Sequence, residues 1–459
     1  MRISKKVEWA IFVSVLIIQL LFVFFHVIDE LMLFIGLILL ITLMTFTAFS
    51  VVKVFILLAF YICCFERYGY LTYFPGFTLW YYWKISYPLL VVLICYWAIY
   101  LLKNQENFLL NQMDTAVILL AFLLFLGIIH GLLRGYSTRL LFSDAQAQPF
   151  ILAYFIFLYS AFKDKIQMFY DALLLFAFLV SFQFMYAVLA LKSSFFLQRI
   201  VSIHIHIVQF AIPYILATLI YSTSQKRKIF FAVLLPVVLL GVFISQQRAL
   251  YGSIGLSVLF LIGLFTYMRR TWIKNNIQRF ALYSICSLSV TAVVFMILQA
   301  ITEGKFLLTL YRRILVFSSF EQVRYDMSWK IRWEEIVHVF KNFKEFWLLG
   351  QGFGASFITR NRYWLTVTVD NAYAYVIWKT GIIGLMALIY VYYVFFKRCL
   401  STMRKNITAN ERIFLTTALL NAVGMMLIAF TNCSIAQYRL IFVWMAIFAC
   451  TEAIARRYD

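Results

Sequence analysis

Long apolar segments recur along nearly the whole chain and limit the folds that it can adopt. Of the 459 residues, 64% are hydrophobic and only 13% are charged. Soluble domains contain about 45–50% apolar and about 25% charged residues, so a water-soluble fold would leave much apolar surface exposed. The same composition excludes a disordered chain and a disulfide-bonded secreted scaffold. The sequence therefore predicts an all-α polytopic integral membrane protein.

The number of bilayer crossings follows from the length of the apolar segments. A transmembrane helix needs about 20 predominantly apolar residues. This criterion predicts about 12–14 transmembrane helices in a single membrane domain over residues 1–459. The candidates are 9–28, 31–50, 54–72, 85–102, 115–133, 149–162, 168–191, 204–222, 229–245, 251–268, 280–301, 371–396, 413–431 and 440–455. We interpret the first as a retained helix, because no small-residue cleavage site follows it.

Basic residues in the short loops predict the orientation of these helices. The chain has 40 Lys and Arg against 19 Asp and Glu, and Lys and Arg collect in cytoplasmic loops. Alternate loops carry the basic clusters, which include Arg2, Lys5, Lys6, Lys226, Arg227, Lys228, Arg269, Arg270, Lys274, Arg279, Lys397, Arg398, Arg404, Lys405, Arg412, Arg456 and Arg457. All of them fall on one side if the helix count is right. No soluble basic domain remains outside the helices, so no nucleic-acid partner is expected.

One loop on the predicted outer side, residues 302–364, is far longer than the others. Apolar residues recur there at helical spacing, at Trp329, Trp333, Ile336, Phe340, Phe343 and Trp347. The opposite side carries Lys330, Glu334, Glu335, Lys341, Lys344 and Glu345. This pattern predicts an amphipathic helix at the level of the lipid headgroups. The helix should end at Gly350–Gly354, a glycine-rich turn whose backbone N–H groups can approach an anion.

Several arginines predict a basic cavity on the same side. Arg248 lies between two apolar segments at the outer end of a helix pair, where an arginine tends to hold a phosphate or a carboxylate. A snorkelling interfacial arginine is the alternative interpretation. Arg134 and Arg139 add positive charge. A lipid diphosphate is the natural ligand, because its charge lies next to the membrane while its tail stays in lipid.

An ordered series of motifs resembles the O-antigen ligase/polymerase (Wzy and WaaL) superfamily. The series begins with an L-x-R-G-like segment at 131–135 and is most specific over 245–385. There it comprises Ser245-x-x-Arg248, Arg332-Trp333-Glu334-Glu335, Leu349-Gly350-Gln351-Gly352-Phe353-Gly354, Asp370-Asn371-Ala372-Tyr373 and Gly381-Ile382-Ile383-Gly384-Leu385. The ligase branch usually has His-Asn where this chain has Asp370-Asn371, which favours the polymerase branch.

The resemblance implies a GT-C-like membrane fold and glycosyl transfer at the periplasmic face of a bacterial inner membrane. It implies undecaprenyl-diphosphate-linked oligosaccharide as substrate, an inverting mechanism without metal or cofactor, and a chain-length regulator protein as a candidate partner. Arg248 and Arg332 would neutralise the diphosphate leaving group. The substrate-binding residues would be Arg134, Arg139, Arg324, Glu335, Gly352 and Asn371.

The acceptor hydroxyl must lose a proton, and a carboxylate within hydrogen-bond reach serves as base. Asp370, at the outer start of a helix, is the first candidate for this base, and Glu334 and Glu335 are the next. The alternative interpretation of Asp370 is a simple helix N-cap. No Walker A loop, H-E-x-x-H or D-x-D motif occurs in the chain.

Three functions fit these features. A polymerase would transfer the growing glycan from undecaprenyl diphosphate to the non-reducing end of a new lipid-linked repeat unit. A ligase would instead transfer finished glycan to lipid A core. A flippase or other transporter of lipid-linked oligosaccharide is a different class, and its membrane interior would be lined with charge. Most predicted helices are uncharged at their middle, which favours an enzyme.

Overall fold

A computed structural model describes residues 86–104, 110–191, 206–245, 247–268, 327–341, 343–359 and 362–459, with isolated positions between 289 and 300. The predicted helices at 9–28, 31–50 and 54–72, most of the one at 280–301, and the candidate Arg324 lie outside these residues.

The described residues are mostly helical. The helices are α1 (Ser86–Asn104), α2 (Gln112–Leu133), α3 (Thr138–Ala145), α4 (Ala153–Leu158), α5 (Ile166–Leu191), α6 (His206–Tyr221), α7 (Gln225–Ser245), α8 (Arg248–Met268), α9 (Met327–Lys341), α10 (Phe343–Phe346), α11 (Ala372–Met403), α12 (Ala409–Ala429) and α13 (Tyr438–Arg456). Short 3₁₀ helices occupy Gln148–Leu152, Ala161–Asp164 and Ser434–Ala436. The strands β1 (Phe357–Thr359) and β2 (Arg362–Thr366) pair antiparallel, with Phe357 opposite Thr366 and Thr359 opposite Arg362.

Five helices are long and apolar enough to cross a membrane. They are Gln112–Leu133, Thr138–Leu158 (which joins α3 to α4), Gln225–Ile244, Ala372–Met403 and Ala409–Ala429. Shorter apolar helices occur at Leu90–Asn104, Ile166–Phe182, His206–Tyr221 and Arg248–Leu264. In the described part of the chain, the structure thus agrees with the predicted all-α membrane fold, while the total of 12–14 crossings stays a prediction.

The chain divides into two compact units. The described residues of the smaller are 86–104 and Tyr159–Phe162. Within it, the Trp97 indole N–H on α1 donates to the Tyr159 carbonyl at 3.1 Å. The larger unit comprises Phe108–Leu158 and Lys163–Asp459 and contains every other described element.

The larger unit is a bundle of packed helices. Helix α11 packs against α2 and α13, and α12 packs against α6 and α8. Large aromatic side chains fill the core, and those of Tyr154, Tyr214, Tyr375 and Trp378 are almost fully buried. Between helices in a membrane such side chains stabilise the bundle mainly through close van der Waals packing. Helix–helix packing therefore positions the polar groups at both ends of the bundle.

One end, which we call the Glu452 end, gathers the basic clusters from separate loops. Arg398 is 2.9 Å from Glu452, and Arg456 pairs with the buried Asp114. Arg457 donates to the Lys163 carbonyl at 2.8 Å, which brings the start of α5 to this end. Asp171, in the second turn of α5, lies 3.5 Å from Arg227. The clusters at 226–228, 397–405 and 456–457 thus share one end, in agreement with the predicted alternation.

The crossing predicted at 149–162 begins earlier in the structure. It starts at Thr138, so Arg139 lies in the first turn of α3 rather than in a loop. The segment therefore includes two polar residues, Asp144 and Gln148, that precede the predicted start. Both are buried, and Asp144 is paired with other parts of the bundle. A buried and paired carboxylate does not interrupt a membrane helix as an unpaired one would.

Candidate functional site

Helix α9 brings two predicted site residues, Arg332 and Glu335, to Asp370. The Arg332 Nε atom lies 3.6 Å from Asp370 Oδ2, with side chains 26% and 34% exposed. Glu335, one turn further along, is fully buried, and its Oε2 accepts the Asp370 backbone N–H at 2.7 Å. Residues three apart share a helix face, which explains why both reach the same partner. The end of the bundle that holds this group is called the Asp370 end below.

Asp370 is not the cap of the helix that follows it. The N-cap of α11 is Asn371, whose Oδ1 accepts the Ala374 N–H at 2.9 Å. The Asn371 amide also donates to the Phe430 carbonyl at 3.1 Å. The N-cap interpretation of Asp370 is therefore wrong. Its side chain is about one-third exposed beside Arg332, while Asn371 ties α11 to the end of α12.

Arg248 lies at the same end of the bundle. It begins α8, and Gly252, one turn further along, faces Leu427 near the end of α12. Because α8 and α12 pack together, Arg248 lies near the level of Phe430, which Asn371 contacts.

Arg134 and Arg139 are exposed at the end of α2 and the start of α3. The Arg134 Nε–H donates to His130 Nε2 at 3.0 Å. The structure therefore brings Arg332, Glu335 and Asp370 into direct contact, with Arg248, Arg134 and Arg139 at neighbouring helix ends. Roles for these residues stay predictions.

The glycine-rich turn is held tightly by the bundle. All five of its consecutive N–H groups donate to protein acceptors. Those of Gly350, Gln351, Gly352 and Phe353 donate to the carbonyls of Phe346, Trp378, Lys379 and Gly127, in that order. That of Gly354 donates to the Asp144 carboxylate. Gly352 is buried, and a Cβ there would crowd the backbone of Gly131. The Gly352 N–H already donates to another part of the protein, so it does not face a ligand in this conformation. The role of the glycines here is to let the backbone of the turn pack closely against neighbouring backbone.

A buried ion pair that sequence reasoning missed anchors this turn. Lys379 Nζ lies 2.5 Å from Asp144 Oδ2, and neither side chain has any exposed surface. Lys379 also donates to the Ala355 carbonyl at 2.8 Å, and the Tyr375 hydroxyl donates to Asp144 Oδ1 at 2.7 Å. Lys379 is a charge inside a predicted transmembrane helix. That signal was available in the sequence, because such a residue needs a partner.

The outward face of α9 is apolar. Trp329, Trp333, Val337 and Phe340 are each about half exposed. The exposed Lys330, Lys341 and Lys344 lie in the same stretch of chain. The predicted amphipathic helix is therefore present, and it buries Glu335 and Val339 while its aromatic side chains face outward. This is the composition of a helix that rests against a lipid surface.

His338 connects α9 to the short hairpin and should make this contact sensitive to pH. Its ring stacks on Phe357, with centroids 4.3 Å apart. Burial, followed by the nearby Lys341, lowers the pKa of His338. Because the unfolded state then binds more protons, the contact should be most stable above about pH 6.5 and weaken as the pH falls below that value.

Hydrogen exchange of 327–341 between pH 7 and 5, corrected for intrinsic rates, measures this expected weakening. The variant His338→Phe retains an aromatic ring for stacking and should show a flatter profile. The same pH profile in both proteins would contradict the role of His338.

The site contains cationic and carboxylate groups at a membrane-protein helix end, an arrangement suited to an anionic substrate. Among the described residues, no group of three or more His, Cys, Asp or Glu side chains has the arrangement needed to hold a metal ion. No protein-family model matches the chain, and no curated protein matches it significantly.

Proposed function

We propose that this protein is a membrane glycosyltransferase that polymerises surface-polysaccharide repeat units. It transfers the growing glycan from undecaprenyl diphosphate to the non-reducing end of a new lipid-linked repeat unit, at the periplasmic face of a bacterial inner membrane. The observation that carries the proposal is the contact of Arg332 with Asp370 at one end of the bundle.

The geometry of Arg332 suits an anion-binding role. At 3.6 Å its Nε lies beyond the usual 2.7–2.9 Å of a charge-assisted hydrogen bond to Asp370. This Nε makes no hydrogen bond to any protein atom in the described part of the chain. This one donor is therefore unused within the described protein, and in the proposed reaction the guanidinium would stabilise the charge that develops as the bond to the diphosphate breaks.

Asp370 is the candidate general base. In the transfer, the acceptor hydroxyl gives its proton to the carboxylate while its oxygen bonds to the donor sugar carbon. The bond from that carbon to the diphosphate breaks, and undecaprenyl diphosphate leaves with the electron pair. Glu335 supports this role indirectly, because it accepts the Asp370 backbone N–H and holds the residue beside Arg332.

Removal of the Arg332 guanidinium should reduce glycan transfer strongly. We expect Arg332→Ala to lower the rate about 10²–10³-fold, the effect of deleting one donor to a developing anion. Arg332→Lys should recover little, because an ammonium lacks the planar fork that binds phosphate. The measurement is the surface-glycan ladder of a deletion strain complemented with each variant at equal protein level. Lys341→Ala, an exposed lysine on the same helix, is the matched control. Full activity of Arg332→Ala would reject the proposed site.

The same strain distinguishes the polymerase from the ligase. A polymerase null leaves core lipid with a single repeat unit. A ligase null leaves the core without glycan, while long lipid-linked chains accumulate. An unchanged ladder in the null would reject both enzymes.

A transporter of lipid-linked oligosaccharide is the second candidate, and the Asp144–Lys379 pair is the observation that favours it. Buried charges in candidate membrane helices are typical of transport pathways. Both charges, however, bond to the end of the glycine-rich turn, Asp144 to Gly354 and Lys379 to the adjacent Ala355, as a structural anchor would. Translocation of a fluorescent lipid-linked oligosaccharide by the purified protein in vesicles would establish a transporter.

A further inference from the structure

Hydrogen-bonding side chains from three elements, among them three amides, lie at the Asp370 end. His206, the first residue of α6, has Nε2 3.1 Å from the Asn432 amide nitrogen in the turn after α12. Gln437, the N-cap of α13, donates its amide to Asn432 Oδ1 at 2.5 Å. Gln209 lies one turn further along α6 and is 1% exposed. We call these four residues the amide cluster.

Two members of the cluster keep hydrogen-bonding capacity that the described protein atoms do not use. Both amide atoms of Gln209 and the Oε1 atom of Gln437 are buried without a hydrogen-bond partner. The Gln209 amide faces α12, where a Cβ at Gly424 would lie 2.8 Å from its Nε2. Burial of an amide without a partner is costly, and such groups usually bond to a ligand or ordered water.

The cluster is close to the candidate transfer site along the chain and in space. Asn371, which follows Asp370, donates to the Phe430 carbonyl, and Asn432 is two residues beyond. The two regions differ in chemistry. Arg332 and Asp370 carry charge, whereas the three amide side chains of the cluster offer neutral donors and acceptors, which suit hydroxyl groups rather than phosphate.

We propose that the amide cluster of His206, Gln209, Asn432 and Gln437 is a binding subsite for the hydroxyl groups of the neutral acceptor glycan. This inference rests on the proposed glycosyl transfer and adds to it a location for the acceptor. The four residues bind and orient the sugar, while Asp370 receives the proton from the reacting hydroxyl. They are substrate-binding residues and take no part in bond breaking.

A direct binding measurement tests the subsite without turnover. The probe is the oligosaccharide released by mild acid from the strain's own lipid-linked repeat units, which carries neither lipid nor phosphate. Saturation-transfer NMR on the full-length protein in nanodiscs measures its dissociation constant. We expect Gln209→Leu and Gln437→Leu each to raise that constant roughly three- to tenfold, the loss of about one neutral hydrogen bond.

Gln148→Leu is the matched control, because Gln148 is also buried with both amide atoms lacking a partner but lies in a 3₁₀ helix outside the cluster. This control should leave binding unchanged. In turnover assays the two test variants should raise the acceptor KM and leave kcat and the donor KM within about twofold. A general loss of folding would instead lower kcat in proportion to protein recovered.

The outcomes separate this inference from the proposed function. The subsite is overturned if the wild-type protein does not bind the probe. It is also overturned if the wild type, the two test variants and the control bind it with the same dissociation constant. If the glycan ladder still depends on Arg332 when the subsite has been overturned, the proposed function stands without the subsite. An ordered water filling the cluster would likewise leave acceptor binding unchanged in Gln209→Leu.

Discussion

Replacement of Lys379 with methionine is expected to lower the free energy of unfolding by about 3–5 kcal/mol, the usual cost of removing one partner from a buried ion pair. Lys379 and Asp144 are 2.5 Å apart, and both side chains are fully buried. Without the ammonium, Asp144 keeps the Tyr375 hydroxyl and the Gly354 N–H as donors but has no counter-charge. The Ala355 carbonyl also loses its donor. Thermal and denaturant unfolding in detergent micelles measure the loss.

Two further variants make this expectation specific. Lys344→Met removes an exposed lysine and should stay within about 0.5 kcal/mol of wild type. The double variant Asp144→Leu/Lys379→Met replaces both charges by apolar groups and should recover part of the loss, because no uncompensated charge remains. Recovery should be incomplete, since Gly354 and Ala355 still lack partners. If Lys379→Met is no less stable than Lys344→Met, the pair does not anchor the turn.

Periodicity and apolar length predicted much of this fold. The helices predicted at 168–191, 204–222, 229–245 and 251–268 agree with α5 to α8 within a few residues, and Gln225–Ile244 is among the five long enough to cross a membrane. Their boundaries follow from local chemistry, because an apolar segment in a bilayer must satisfy its own backbone and does so as a helix. The spacing of tryptophan and phenylalanine likewise predicted α9.

What the sequence left open depends on contacts between distant segments. The buried partners of Asp144 could not be predicted, because Lys379 and Tyr375 lie far along the chain and no local pattern joins them to it. The glycine-rich turn was recognisable from composition. Whether its N–H groups face a ligand or the protein depends on how α11 and α2 pack around it.

The candidate site was predictable only in part, because it too depends on contacts between distant segments. The order of the motifs predicted that Arg332 and Asp370 belong to one site, and in the structure the two side chains are in contact. The buried carboxylate of Glu335 was expected to bind substrate, yet it contacts the Asp370 backbone. The amide cluster carries no sequence signal, because isolated Asn, Gln and His residues are unremarkable until packing brings them together.

The second large effect is expected for Gly381→Ala, which should cost about 2–6 kcal/mol through backbone strain and overlap. Gly381 interrupts α11 with φ 70° and ψ −167°, a region open almost only to glycine. An added Cβ would overlap the Leu348 carbonyl oxygen. The next residue, Ile382, donates its N–H to the Trp347 carbonyl at 2.8 Å, so the kink is where the end of α10 docks onto α11.

Strain at Gly381 should also disturb the candidate site. Helices α9 and α10 lead directly into the turn that packs against Gly381, and α9 carries Arg332. Displacement of 347–350 would move Arg332 relative to Asp370, so Gly381→Ala should lose glycan transfer as well as stability. Gly255→Ala is the matched control, since Gly255 lies in α8 with no atom within 4 Å of an added Cβ. In a helix interior that change should be neutral or stabilising by about 0.5–1 kcal/mol. If Gly381→Ala has the free energy of unfolding of the wild type, α11 can adopt a straight conformation at no cost. The kink would then not position α9.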